Sequence, residues 1–117
     1  MLLDLTLVES ITMTDLVQQL ANELAVRPNQ VTAAIALIDE GASVPFIARY
    51  RKEVTQGLDD TQLRQLDTRL TYLRDLFDRR EKVLESLKEQ DKLSDDLLAR
   101  VNAAETKHAL EEIYAPY

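Results

Sequence analysis

Apolar residues recur every three or four positions over most of this chain, which is the spacing of one buried face of an α-helix. The pattern becomes clear after Thr14, where Leu16, Leu20 and Leu24 fall on one face. Thr14 has the side chain of an N-cap residue, so it is predicted to begin the first helix. Residues 1–13 are apolar but weakly patterned, and they are predicted to form an N-terminal arm or, alternatively, a short helix.

A second helix is predicted to follow a short turn at residues 25–27. Pro28 suits the first position of this helix because its missing N–H is not needed there. Gly41 is predicted to end the helix as a left-handed C′ residue. Ser43 then caps a third, short helix, in which Pro45 is tolerated within the first turn.

The next helix is predicted to be long, from about Asp60 to about Gln90, because no Gly or Pro interrupts that stretch. Asp59 or Asp60 serves as its N-cap. Only Arg80 interrupts its apolar seam. The seam consists of Leu63, Leu66, Leu70, Leu73, Phe77, Leu84 and Leu87. Such a seam packs either inside the same domain, which the short neighbouring helices favour, or against a second chain as a coiled coil.

Two short C-terminal helices are predicted, with Ser94 and Thr106 as caps. The chain has only two Gly and three Pro and no sustained apolar–polar alternation, so strands and hairpins are not expected. The predicted fold is all-α. It comprises a helix-turn-helix-like pair and a short helix over residues 14–58, then the long helix and the short C-terminal helices over residues 59–117. Because the chain stops one residue past Pro116, we expect a single truncated domain overall.

Composition excludes several classes of site. Without cysteine, disulfides, thiolate metal sites and cysteine catalysis are excluded, and the single His108 cannot form a multi-histidine zinc site. The pair Asp95–Asp96 lies where an N-cap is expected, so it does not indicate paired catalytic carboxylates. No apolar run reaches the roughly 20 residues of a membrane span. The sequence predicts a soluble, cytoplasmic protein that is not an enzyme and has no metal, no cofactor and no membrane partner.

The first two predicted helices have the spacing of a helix-turn-helix DNA-binding unit. In that interpretation Asn29, Gln30 and Thr32, near the start of the second helix, face base edges. The charge argues against it, because the chain carries a net charge of −7 and Arg27 is the only basic residue before position 49. Phosphate neutralisation supplies much of protein–DNA affinity, so a scaffolding role for this pair is favoured.

The densest basic cluster lies at positions 49–52, close to Phe46. One interpretation is that its cations contact phosphates while its tyrosine stacks on a base. The other, which we favour, is that Phe46 is buried and Arg49 pairs with a carboxylate such as Asp59, Asp60 or Asp67. The candidate contact residues for nucleic acid or for another domain are Arg27, Arg49, Tyr50, Arg51 and Lys52.

A longer motif points to a family. Residues 39–76 closely resemble the N-terminal helical region of the bacterial Tex family of transcription accessory proteins, with the sequence DEGASVPFIARYRKEVTQGLDDTQLRQLDTRLTYLRDL. The resemblance extends over about residues 14–117 and includes LAVRPNQVTAAIALIDEG and the final TKHALEEIYAPY. Gln56 stands where the family usually has a second Gly, and Ala115 stands where it usually has Leu.

The resemblance implies a role in transcription. Tex proteins resemble modular nucleic-acid-binding factors with an RNase-H-like module, helix-hairpin-helix elements and an OB-type RNA-binding barrel, and none of these modules lies in this chain. RNA or DNA is therefore expected to bind mainly through modules absent from these residues. The expected role is a scaffold with an auxiliary nucleic-acid contact. The alternative is a helical protein–protein interaction module that docks RNA polymerase or other transcription proteins through the long helix.

Overall fold

A computed structural model describes the backbone of residues 5–117 and the side chains of residues 13–117. Over this range the chain forms seven helices and no strand, which confirms the predicted all-α fold. The helices are α1 (Leu5–Leu24), α2 (Pro28–Asp39), α3 (Val44–Tyr50), α4 (Lys52–Thr55), α5 (Asp60–Glu89), α6 (Asp95–Ala103) and α7 (Lys107–Tyr114). None of these helices is long and apolar enough to cross a membrane.

The start of the first helix differs from the prediction. Helix α1 begins at Leu5, so Thr14 lies inside it and its assignment as an N-cap is wrong. No Gly or Pro stands between Leu5 and Thr14, and a threonine caps a helix only where the backbone upstream leaves the helical conformation. Of the predicted N-terminal arm, residues 1–4 lie outside the described residues. The proposed boundaries at 14–58 and 59–117 remain predictions.

Most helix ends follow the local signals in the sequence. Ser43, Ser94 and Thr106 each accept a hydrogen bond from the backbone N–H three residues later, which confirms their predicted capping roles. Asp59 caps α5, since its Oδ1 accepts from the N–H of Gln62 at 2.8 Å while its own N–H donates to the Gln62 side chain at 2.9 Å. This reciprocal pair is a capping box with Asp in the first position.

Four helices end on a residue with a left-handed backbone: α1 at Ala25, α2 at Gly41, α4 at Gln56 and α5 at Asp91. Gly41 has φ +97°, as predicted, and the N–H of Ala42 donates to the Leu37 carbonyl at 3.1 Å. Ala25 after α1 and Asp91 after α5 adopt the same type of conformation, with φ of +55° and +57°. Left-handed φ is unfavourable for residues with a Cβ, so these two ends carry a conformational cost that Gly41 avoids.

The chain divides into two compact units, Met1–Leu73 and Arg74–Tyr117, and the division falls inside α5. In the first unit, α1 to α4 and the first part of α5 share a core of fully or almost fully buried side chains. This core includes Leu16, Leu20, Val31, Ala34, Ile35, Ile47, Leu58, Leu63, Leu66, Leu70 and Leu73. The seam residues of α5 in this unit are thus buried by the chain itself, which favours internal packing over a coiled coil.

In the second unit, the buried face of α5 is shifted from the predicted seam. Leu76 and Val83 are buried, whereas Phe77 and Leu84 are only half-buried. The side chains of α5 contact α7 here, through Arg79 and Glu111 and through Ser86 and Tyr114, and a helix buries the face that its neighbours cover. Arg80, the polar residue on the seam, donates from Nη2 to the Ala104 carbonyl at 2.8 Å at the end of α6.

Candidate interaction surface

The two shortest helices present an exposed apolar surface. Ile47 on α3 is completely buried, but Phe46 and Tyr50, one turn apart on the same helix, are 42% and 54% exposed. Val54 on α4 is also 42% exposed. The predicted burial of Phe46 is therefore wrong. We call the surface formed by Phe46, Arg49, Tyr50, Arg51, Lys52 and Val54 the α3–α4 patch.

The two aromatic rings of the α3–α4 patch lie side by side and are flanked by guanidinium groups. The ring centres of Phe46 and Tyr50 are 5.2 Å apart, with an angle of 48° between the ring planes. The Arg49 guanidinium lies 5.4 Å from the centre of the Tyr50 ring, and that of Arg51 lies 5.4 Å from the centre of the Phe46 ring. These are cation–π distances, so the cations and the rings form one mixed surface.

The cations of the α3–α4 patch have no carboxylate partner among the described residues. The guanidinium of Arg51 donates from Nη1 to the Tyr50 carbonyl, at 3.4 Å. The predicted pairing of Arg49 with a nearby aspartate is wrong, because Asp60 pairs with Arg64 and Asp59 caps α5. Capping and i,i+4 pairing engage these carboxylates locally, before a more distant arginine can use them.

A buried glutamine fixes the position of α4. Gln30 in α2 is only 9% exposed. Its Oε1 accepts from the N–H of Arg27 at 3.0 Å, and its Nε2 donates to the carbonyls of Thr55 and Gln56, each at 3.2 Å. The side chain thus joins the start of α2 to the end of α4. Gln30 cannot face base edges, so the helix-turn-helix interpretation is wrong for this residue.

The remaining residues of that interpretation stay at the surface. Asn29 and Thr32 are exposed, and the hydroxyl of Thr32 donates to the Pro28 carbonyl of its own helix. Arg27 donates from Nη2 to Oε1 of Gln56 at 2.5 Å, which ties it to the end of α4. Gln56 has φ +57°, a left-handed conformation that favours Gly. A Gly at this position could not accept the hydrogen bond from Arg27, because it has no side chain.

A shallow open cleft of about 480 Å³ adjoins the α3–α4 patch. Its walls come from the end of α2, the turn that follows, and the exposed side of α3. The lining residues are Leu37, Glu40, Gly41, Ala42, Ser43, Phe46 and Arg51. The lining of the cleft is thus mixed: apolar side chains lie beside one carboxylate and one guanidinium.

The titratable side chains were also considered as metal ligands and as acid–base groups, and they form ordinary surface contacts where the structure describes them. No group of three or more His, Asp or Glu side chains is placed to hold a metal among the residues described. The exposed His108 faces Glu112 on its own helix, with 3.0 Å between Nε2 and Oε1. This is the i,i+4 spacing of an ordinary surface pair.

The sequence of the chain was compared with those of known proteins. The model of the Tex-like protein N-terminal domain matches residues 14–88. The chain belongs to the Tex-like family. It is 61% identical over 98 residues to the transcriptional accessory protein Tex of Neisseria gonorrhoeae, covering 84% of this chain and 13% of that protein.

Other relatives match a similar share of this chain. Protein YhgF of Escherichia coli K12 is 59% identical over 98 residues, which cover 84% of this chain and 13% of YhgF. The human S1 RNA-binding domain-containing protein 1 is 32% identical over 103 residues, which cover 88% of this chain and 10% of that protein. The Tex-like chain described here therefore spans about 13% of the length of its bacterial relatives Tex and YhgF.

Proposed function

We propose that this chain is the N-terminal scaffold of a Tex-like transcription accessory protein and that its α3–α4 patch docks another protein of the transcription machinery. The exposure of Phe46 and Tyr50 carries this proposal, together with neighbouring cations that have no carboxylate partner in the part of the chain that the structure describes. Aromatic residues and arginine are the side chains most enriched at the energetic centres of protein interfaces. Exposed apolar residues scattered singly are ordinary, but here three lie within nine residues, at positions 46, 50 and 54.

The long helix is a weaker choice for the docking surface. Its apolar seam residues Leu63, Leu66, Leu70 and Leu73 are buried within the first unit, and Leu76, Val83 and Leu87 within the second. A partner would have to displace these contacts before it could use the seam. The α3–α4 patch requires no such displacement.

An auxiliary nucleic-acid contact is the second candidate. Two observations favour it. Arg49 and Lys52 have no carboxylate partner among residues 13–117, and the ring of Tyr50 is exposed, so that a base could stack on it. Three cations neutralise at most three phosphates, so the logarithm of affinity would fall with the logarithm of salt concentration with a slope of only about −2 to −3. Such a contact is weak at physiological salt.

Cross-linking tests the docking role. A photoreactive phenylalanine analogue replaces Tyr50, and purified bacterial RNA polymerase is the partner. The same analogue at Leu98, which is 37% exposed on α6, provides the matched control. We expect a cross-link to polymerase from position 50 and none from position 98. Equal yields from the two positions, or no cross-link from either, would contradict the docking role.

Charge reversal separates the second candidate from the first. The variant combines Arg49→Glu, Arg51→Glu and Lys52→Glu, and the probe is a single-stranded RNA of about 12 nucleotides, at salt from about 50 to about 200 mM. A nucleic-acid contact predicts that the native chain binds at the low end and that the variant does not. Docking of a protein alone predicts no RNA binding by either form.

A further inference from the structure

We propose that the cleft beside Phe46 binds a protein segment in which one large apolar side chain is flanked by a carboxylate; this inference rests on the docking role proposed above. The apolar side chain enters the cleft, and the carboxylate meets Arg51. Phe46 is exposed at the cleft, and Glu40 and Arg51 provide the charges that line it.

The apolar part of the cleft fits one anchoring side chain. Leu37, Ala42 and Phe46 supply the apolar lining, and the volume of about 480 Å³ is within the range of about 300–1,000 Å³ typical of small binding pockets. Phe46 is 42% exposed, so an occupant can remove a large ring surface from water. A leucine or an aromatic residue, inserted against Phe46, matches this lining in size and polarity.

The charges at the cleft specify the rest of the segment. Arg51 lines the cleft, has no carboxylate partner among the described residues, and stands next to Lys52, which also has none. A carboxylate near Arg51 would therefore complete a charge-assisted pair. Glu40 lines the same cleft. A neutral or basic residue is expected near Glu40, because a second carboxylate there would be repelled.

The same charges favour a protein segment over a nucleic acid. The charged residues that line the cleft are Glu40 and Arg51, so the lining has no net positive charge. A nucleic acid brings a phosphate with every nucleotide, and these phosphates would be repelled by Glu40. A protein segment can place its single carboxylate at Arg51 and avoid Glu40.

Peptide selection tests the chemistry of the cleft. The probe is a phage-displayed library of random peptides of about ten residues, selected against the immobilised chain. The selected peptides are then synthesised, and their affinities are measured by fluorescence anisotropy. The native chain is compared with Phe46→Ala, with Arg51→Glu and with the control Leu98→Ala, which truncates an apolar side chain of similar exposure on α6. Circular dichroism verifies that each variant folds.

We expect the selected peptides to share a leucine or aromatic residue close to an aspartate or glutamate. Phe46→Ala and Arg51→Glu should each weaken binding at least about tenfold, and Leu98→Ala by less than about twofold. Combining Arg51→Glu with Glu40→Lys should select peptides in which a lysine replaces the acid beside the anchor. Equal binding to the native chain and to Phe46→Ala, or peptides without the apolar–acidic pattern, would overturn the proposal.

Two further outcomes locate the error if the proposal fails. In the first, single-stranded RNA of about 12 nucleotides displaces the peptides from the native chain at about 150 mM salt but does not bind Arg51→Glu. This result would assign the cleft to a polyanion instead. If peptides fail while RNA polymerase still cross-links from position 50, the anchor chemistry is wrong and the docking role stands. If both fail, the docking role is wrong as well.

Discussion

Replacement of Gln30 by methionine should destabilise the chain and loosen α4 in particular. Methionine is close to glutamine in length and fills a similar volume, but it can replace none of the three hydrogen bonds that the amide makes. A hydrogen bond of this kind contributes about 0.5–1.5 kcal/mol net, and part of the loss is offset because no amide has to be buried. We therefore expect the free energy of unfolding to fall by about 2–3 kcal/mol.

Urea unfolding followed by circular dichroism measures this loss, and hydrogen exchange locates it. The amides of Val54, Thr55 and Gln56 should lose protection in Gln30→Met, because the amide of Gln30 holds the last carbonyls of α4. Asn29→Ala is the matched control. Asn29 is exposed, so this change should alter stability by less than about 0.5 kcal/mol. A loss below about 0.5 kcal/mol in Gln30→Met, with unchanged protection of α4, would refute the reasoning.

Three further predictions concern the helix ends, the core and one ion pair. Ala25→Gly should raise the free energy of unfolding by about 0.5–1 kcal/mol, and Gly41→Ala should lower it by about 1–2 kcal/mol, because both positions have a left-handed backbone; urea titration measures both. Leu70→Ala should cost about 2–5 kcal/mol in the same titration, since Leu70 is buried; a cost below about 1 kcal/mol would place Leu70 outside the core. The hydrogen bond from Arg69 Nε, at 2.6 Å, holds the pKa of Glu23 below its ordinary value. This pair therefore stabilises the fold fully above the ordinary pKa of a glutamate, and it loses that contribution as the pH falls through the lowered pKa. Both side chains are about one-third exposed, so Glu23→Gln should cost at most about 1 kcal/mol at about pH 7, and this cost should decrease in acid; a cost that does not change with pH would contradict the assignment.

The helices and their caps could be predicted because the signals are local. Ser43, Ser94 and Thr106 cap helices by bonds to a backbone three residues away, and Gly41 ends α2 through its own backbone conformation. The long helix was predicted to run to Gln90 and runs to Glu89, since no residue in that stretch interrupts it. The prediction that Thr14 begins α1 was wrong, because no residue upstream of it interrupts the helix either. A capping side chain is necessary for many helix starts, but it does not prevent a helix from beginning upstream.

The surface that carries the proposed function could be predicted only in part. The sequence indicated the basic cluster at positions 49–52, but it suggested that Phe46 is buried. Apolar residues are usually inside, and one sequence does not show which of them has no neighbour to cover it. Gln30 was missed because its partners Thr55 and Gln56 lie more than 20 residues away. The only local signal was the spacing of three from Arg27, whose N–H donates to the side chain of Gln30.

The most direct test of the docking role is the affinity of the chain for purified RNA polymerase in two truncation variants. Phe46→Ala and Leu98→Ala each remove a partly exposed apolar side chain, but only the first lies in the α3–α4 patch. In an equilibrium titration at about 150 mM salt, we predict that Phe46→Ala weakens binding at least about tenfold while Leu98→Ala changes it by less than about twofold. Equal affinities of the native chain and Phe46→Ala, both folded, would contradict the docking role.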